Sequence, residues 1–336
     1  MKNSAVQLKV LHVTNMWPTP DKPHYGAFVK AQVTSLEKAG VLCKIIIDSK
    51  TPGVKKYLSL RTLTNQAIKE FKPDVIHAHF GWTAAALAPT NIPLVVSFCG
   101  GDLNGESGGM LRRVKYSLGR QLSIMASRRS AHNIVKSRMM LQYLPENHLG
   151  KTSIIPNGVD MELFSDMDRK QAKIKMGWEA GKIVLFAGRP DDPTKNFKLA
   201  ESAVELAKKL VPDLALKSPK GINHSDMPIP LNAADLLLIT SKKEGSPNIV
   251  KEALSCNLPV IAVPVGDLEW LLEGLQCSIV CKYDAKEISA AIIKLFNNNC
   301  PSRSEGRKKL LDMELDSALV ARKLINIYEQ VSQPNH

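Results

Sequence analysis

Aromatic side chains are scarce in this sequence, with Phe, Trp and Tyr making up 5% of 336 residues. No basic stretch is interleaved with stacking rings, which argues against a nucleic-acid surface. Long apolar runs are missing as well. The runs at 83–88 and 236–239 fall far short of the ~20 residues that cross a bilayer. No secretory leader is expected, because residues 1–7 are polar and the apolar stretch 8–13 is short and lacks a small-residue cleavage site. The chain therefore reads as cytoplasmic. Cys43, Cys99, Cys256, Cys277, Cys281 and Cys300 form no C-x-x-C pair, and no partnering His or Cys cluster accompanies Cys277 and Cys281. A zinc site is not expected, and the cysteines read as buried free thiols in a reducing compartment. Acidic charge is in short supply only in the first half. Residues 1–160 hold 21 Lys+Arg against 9 Asp+Glu, whereas the remainder holds 24 against 23. Such asymmetry points to an anionic partner for the first half, phosphate or a membrane surface before nucleic acid.

What is present is an alternation of strand-like and helix-like stretches. Residues 8–13, 41–47, 74–77, 93–97, 131–135 and 152–155 read as strands, with helices expected at 27–39, 61–71 and 110–129. In the last of these, Leu111, Val114, Leu118, Leu122 and Met125 recur at helical spacing and are expected to face the core. The rhythm restarts after Asn157-Gly158, with strands at 182–187, 215–217, 235–240 and 259–263 and helices at 196–210, from about 247, 268–273, 285–296 and 304–330. This βαβ pattern implies parallel sheets covered on both faces. Two Rossmann-like α/β domains are expected, 1–160 and 161–336, with the C-terminal helix packing back towards the first. Ligands in such sheets sit at the carboxyl ends of strands.

The segment Glu244-Gly245-Ser246-Pro247-Asn248-Ile249-Val250-Lys251-Glu252 follows the buried strand 235–240 directly. That strand delivers Glu244 to its carboxyl end, and Ser246-Pro247-Asn248 reads as a helix start. The free amides and dipole of a first turn favour a phosphate. Ionised Glu244 and Glu252 suit sugar and ribose hydroxyls, because carboxylates only accept hydrogen bonds. The bland alternative is a capped surface helix with solvated glutamates. Gly188-Arg189-Pro190 follows strand 182–187, with Lys195 shortly after. Arg189 can grip phosphate in a fork and Lys195 can supply a point charge, the positive field that a departing nucleoside diphosphate needs. In the first half, Gly26 opens a helix, His77 and His79 end a strand, and Cys99 and Asp102 follow another. His77 reads equally well as a structural residue, and Gly26 as a plain helix start. Asp166 and Asp168 have metal-binding D-x-D spacing, but next to Arg169-Lys170 a solvated turn is the better reading. No metal or cofactor is expected.

These motifs together resemble glycosyltransferase family 4. Glu244 to Glu252 fits that family's E-x7-E pattern, and Asn232-Ala233-Ala234-Asp235, Ile155-Pro156-Asn157-Gly158-Val159-Asp160 and His77-Ala78-His79 occur in the family's order. The resemblance runs from about Lys9 to Asp267. It implies a GT-B architecture, two Rossmann-like domains facing across a cleft, and retaining, metal-independent transfer of a sugar from a nucleotide-diphosphate donor. It places Arg189, Lys195 and Glu252 on the donor with Gly245, Ser246, Pro247, Asn248, Ile249 and Gly26, and makes Glu244, on the donor sugar, and Asp102 and His79, on the acceptor side, the candidate catalytic residues. The implied acceptor is a glycan or polyprenyl-linked saccharide, in cell-surface polysaccharide or glycolipid synthesis.

Departures from the family pattern matter. Cys99 stands where the family carries His, only Gly26 occupies a place where two glycines are common, and the stretch from Leu214 to Asp235 is short, with Ser218-Pro219-Lys220-Gly221 replacing a glycine-rich turn. These keep open a nucleotide-sugar epimerase on the same fold, or a non-catalytic binding subunit. The acid-free stretch 112–138, with Arg112, Arg113, Lys115, Arg120, Arg128, Arg129, Lys136 and Arg138, predicts peripheral docking on an anionic membrane face. A solvated basic face is the alternative.

Overall fold

A computed structural model describes residues 7–22, 25–48, 51–104, 110–178, 181–297 and 303–333. The chain forms two compact units, one from residues 1–158 with 317–336, the other from 159–316.

In the first unit, β1 (Lys9–Thr14), β2 (Leu42–Ile47), β3 (Val75–His79), β4 (Leu94–Ser97), β5 (His132–Val135) and β6 (Thr152–Ile154) form one parallel sheet in the order β2-β1-β3-β4-β5-β6. Strands buried on both faces need continuous apolar or hydrogen-bonded side chains. All five residues of β3 are buried, including its two histidines. Helix Ser317–Ser332 closes one face of this sheet. Its Val320, Leu324, Ile327 and Tyr328 pack with Val10, Val75, Val95 and Ile134, and Ser35 Oγ donates to the Ser317 carbonyl at 2.7 Å.

Helix Met110–Arg129 corrects one expectation. Leu118, Leu122 and Met125 are exposed, whereas Gly119, Ser123, Ala126 and Ser127 face inward. The reason is steric. A Cβ on Gly119 would meet the Trp82 ring at 2.0 Å, so the helix Gly81–Ala86 lies too close for anything but small residues. The larger apolar side chains turn out to solvent. The side chains of Leu111, Arg112, Arg113, Val114 and Lys115 lie outside the described residues. Lys136 is also corrected: it is buried rather than part of a basic surface, while Arg120, Arg128, Arg129 and Arg138 are exposed.

In the second unit, β7 (Lys182–Leu185), β8 (Leu214–Lys217), β9 (Leu236–Ile239), β10 (Val260–Ala262) and β11 (Ile279–Val280) order as β11-β10-β9-β7-β8, again parallel. Both sheets therefore reverse winding direction beside their first strand, between β1 and β3 and between β7 and β9. All four residues of β9 are buried, and each fully buried Leu contributes about 1.5–3 kcal/mol. The Asn232–Asp235 segment does structural work. Asp235 accepts from Arg169, Lys173 and the Ile183 amide at 2.8, 3.0 and 2.8 Å, fixing the helix Arg169–Met176 against the sheet. Asp168 caps that helix through the Gln171 amide, and Asp166 pairs with Arg303 at 3.3 Å. Cys43, Cys99, Cys256 and Cys281 are free, but Cys277 is disulfide-bonded, which corrects the reading of all six cysteines as thiols.

Candidate active site

In the second unit the loops after β7 and β9 flank the point where winding reverses, the place where α/β sheets take ligands. Thr240 Oγ1 donates to the Lys195 and Asn196 carbonyls at 3.0 and 3.1 Å, and the Lys242 amide donates to the Thr194 carbonyl at 2.8 Å. The two loops are thereby tied together. Across them, Lys195 Nζ donates to Glu244 Oε1 at 2.6 Å, with the side chains 33% and 16% exposed. Arg189 lies on the same β7 loop but points outward, 66% exposed and 3.7 Å from Asp192. Asp192 in turn accepts from the Thr194 amide and hydroxyl.

Pro247 is the N-cap of helix Asn248–Ser255, and its own side chain supplies no capping hydrogen bond. Its first-turn amides thus have no side-chain acceptor on the cap residue, the arrangement that suits an anion. Ile249 packs on the core. Lys251, almost fully buried, sends Nζ back to Ser246 Oγ at 3.1 Å. Gly266 has a left-handed φ of +63°, and a Cβ there would sit 2.3 Å from the Gly245 carbonyl oxygen, so the loop after β10 rests directly on Gly245. The next residue, Asp267, has its carboxyl pushed up by burial, opposed by Ser246 and Lys251. One turn into the helix, Glu252 Oε1 lies 2.9 Å from His224 Nε2.

In the first unit the residues at the corresponding reversal are sealed. His12, His77 and His79 are buried on β1 and β3. His77 bonds Tyr328 OH at 2.6 Å and Ser97 Oγ at 2.8 Å, and His12 Nδ1 lies 3.2 Å from His79 Nε2. Burial lowers the His12 pKa to about 3 and holds His77 and His79 well below the ordinary imidazole value. Asp102 accepts from the Gly81, Cys99 and Gly100 amides at 2.7, 3.0 and 2.9 Å. Burial raises its pKa to about 6 despite those amides. Lys136, 4% exposed, is lowered by burial to about 8, and burial lifts the Cys99 thiol to about 12. Among the described residues the three histidines are the one grouping with metal-ligand proximity, yet Lys136 acts on His77 and His79 as a like charge and both His77 nitrogens are already bonded. Gly26 caps helix Ala27–Lys38 with φ +74°. A Cβ there would lie 2.4 Å from the Met16 carbonyl carbon, so only glycine lets the two loops touch.

Residues 12–163 match the sequence profile of Glycosyltransferase Family 4, and residues 181–298 match that of Glycosyl transferases group 1. The chain is a glycosyltransferase. It is 24% identical over 404 aligned positions to Bacillus subtilis TuaC, named as a glycosyltransferase of teichuronic acid biosynthesis, covering 97% of this chain and 99% of that one. A D-inositol 3-phosphate glycosyltransferase of Mycobacterium marinum is 27% identical over 177 residues, 44% of this chain and 38% of the relative. Sucrose-phosphate synthase from Thermosynechococcus elongatus superposes with a TM-score of 0.75 at 16% identity, over 97% and 99% of the two chains. Anabaena HepE in complex with UDP does so at 0.69 and 14%, over 96% and 100%. The fold is therefore that of the GT-B glycosyltransferases.

Of the residues singled out in the sequence, the structure joins Lys195 to Glu244 and sets Ser246 to Ile249 at the head of the helix that carries Glu252. It leaves Arg189 at the surface and encloses Asp102 and His79. Sequence reasoning missed His224, Lys251 and Asp267 in this glycosyltransferase. Only Asp267 had a signal, a Gly-Asp pair in the loop shortly after the expected strand 259–263.

Proposed function

We propose that the chain is a retaining, metal-independent transferase, which moves a hexose-type sugar from a nucleoside-diphosphate donor onto a glycan or polyprenyl-linked acceptor in cell-surface polysaccharide or glycolipid synthesis. The observation that carries this is the Lys195–Glu244 pair, 2.6 Å apart at the winding reversal of the second sheet. Glu244 accepts from a hydroxyl of the donor sugar. Lys195 and Arg189 take the diphosphate, helped by the amides of residues 246–249. Glu252 accepts from the ribose. The acceptor oxygen bonds the anomeric carbon on the face from which the diphosphate leaves, and its proton passes to a departing phosphate oxygen. The negative charge grows on that phosphate, where fixed positive charge lowers the barrier most. On the acceptor side Gly26 lets backbone approach, while Asp102 and His79 hold loop shape from inside, since both are buried and internally bonded. TuaC, through its name, supports a polysaccharide product, and HepE, through its bound UDP, supports a nucleotide donor.

Calorimetric titration with UDP, GDP and ADP sugars tests the donor assignment. Glu252→Ala and Arg189→Ala should each weaken donor binding about tenfold or more, with the melting temperature barely moved. Lower stability with unchanged affinity overturns it.

A lipid-linked acceptor implies that the protein works at the cytoplasmic membrane face. Exposed Leu118, Leu122 and Met125 beside exposed Arg120, Arg128 and Arg129 suit that, each basic residue contributing about 1 kcal/mol near anionic lipid. Flotation should show binding to anionic but not neutral vesicles, fading with salt and on Arg112→Glu, Arg113→Glu and Lys115→Glu together.

A further inference from the structure

The short segment between β8 and β9 carries an inference that rests on the donor reading above. A turn of 3-10 helix, His224–Asp226, occupies this stretch and brings one imidazole to Glu252. The bond from His224 Nε2 to Glu252 Oε1 is 2.9 Å. The Glu252 side chain is only 11% exposed, whereas His224 is 33% exposed. The imidazole is also held from behind. Its ring meets the edge of Phe164 at 5.2 Å between centroids and 63°. Phe164 is 1% exposed, and its carbonyl accepts from Ser255 Oγ and Arg307, so this wall cannot swing away.

A glutamate has three rotatable side-chain bonds, and a carboxylate that must meet a diol needs one of its rotamers fixed. A ring nitrogen donating to Oε1 does this and leaves Oε2 as the second acceptor. Nε2 donates in the neutral tautomer that carries its proton there and in the charged form alike.

We infer that His224 is a positioning residue, which locks Glu252 so that its free oxygen reads the ribose diol of the donor nucleotide. It thereby sets a preference for ribonucleotides over 2′-deoxyribonucleotides. A site built around a hydrogen bond rejects a ligand lacking the hydroxyl, because the buried acceptor is left unpaired. The ion pair alone, at a half-open surface, gives no such selectivity.

The test is calorimetric titration of the whole chain with UDP, GDP and ADP, each beside its 2′-deoxy analogue. The ribonucleotide that binds should do so on the order of tenfold more tightly than its deoxy form, as a bond to a charged acceptor implies. His224→Ala should bring that ratio close to one, by weakening the ribonucleotide and sparing the deoxy form. His224→Gln, which can still donate, should restore it. A ratio kept in His224→Ala, or an equal loss of both nucleotides, overturns the inference and leaves the donor reading standing. If none of the nucleotides binds the unaltered protein, the donor reading itself falls, and this inference with it.

Discussion

The two units share one sheet order but treat its reversal point in opposite ways. In the first unit that place holds three imidazoles, buried among themselves with Ser97 and Tyr328 and, among the described residues, with no acid in hydrogen-bond contact. In the second it holds Lys195 and Glu244, oppositely charged and partly exposed, with His224 from the segment between β8 and β9 bonded to Glu252 on the helix that follows. The topology supplies a crevice in both cases, and the side chains decide whether it is filled or kept for a charged ligand. A sealed, neutral reversal point stabilises its unit. An open, charged one adds little stability, since such pairs contribute about 0–1 kcal/mol, but it can place charge beside a phosphate.

That contrast can be broken most forcefully at Lys195. Lys195→Ala should cut kcat by about 10²–10³, as loss of one transition-state contact does, while thermal unfolding barely changes. A melting loss with activity retained would reverse the assignment of roles. The next largest effect is acid sensitivity of the first unit. Its histidines have folded-state pKa values below the unfolded 6.5, so the unfolded chain takes up protons that the native one refuses. Stability is full above pH 6.5 and is lost as pH falls below it. Asp102, raised to about 6, works the other way and offsets part of this, whereas Lys136 at about 8 contributes no slope in this range. Unfolding free energy should therefore fall as the pH drops from 7.5 to 5.5. Hydrogen exchange should show protection falling in β1 and β3 and holding in β7 and β9. Equal acid loss in both units would defeat the comparison.

Smaller effects sharpen it. Tyr328→Phe removes the hydroxyl that His77 meets at 2.6 Å and should cost about 1–3 kcal/mol in chemical unfolding, with nucleotide affinity unchanged. Smallest of all, Leu122→Gln should move stability by under about 0.5 kcal/mol, because Leu122 faces solvent; a loss of several kcal/mol would show that the stripe is packed after all.

Much of this was legible beforehand, for identifiable reasons. The run Leu236–Ile239 with Glu244 and Pro247 behind it announces a buried strand, a loop and a helix start, and the structure has each. β11 escaped because two residues carry no periodicity. The helix Met110–Arg129 was placed correctly but faced the wrong way. Periodicity locates an apolar stripe without saying what lies opposite, and Gly81 and Gly119 decide that small residues face inward. His224 gave no sign at all, since a lone histidine in a short loop acquires its partner only when residues 28 positions apart meet. Arg189 illustrates the reverse: its place at a strand end was readable, its outward direction was not.

The return of helix Ser317–Ser332 to the first unit has a consequence for how the protein is made. Strands β1 to β6 leave the ribosome early, but the ring and hydroxyl of Tyr328 that cover His77 arrive only after all of the second unit has been synthesised. At about 5–20 residues per second, the interval is on the order of ten seconds or more. During it the first sheet carries an open apolar face, while the second unit, continuous in sequence, can close by itself. The later-made half is thus the first able to finish folding, and the earlier-made half is the one that depends on holding its exposed strands apart from other chains until the end of synthesis.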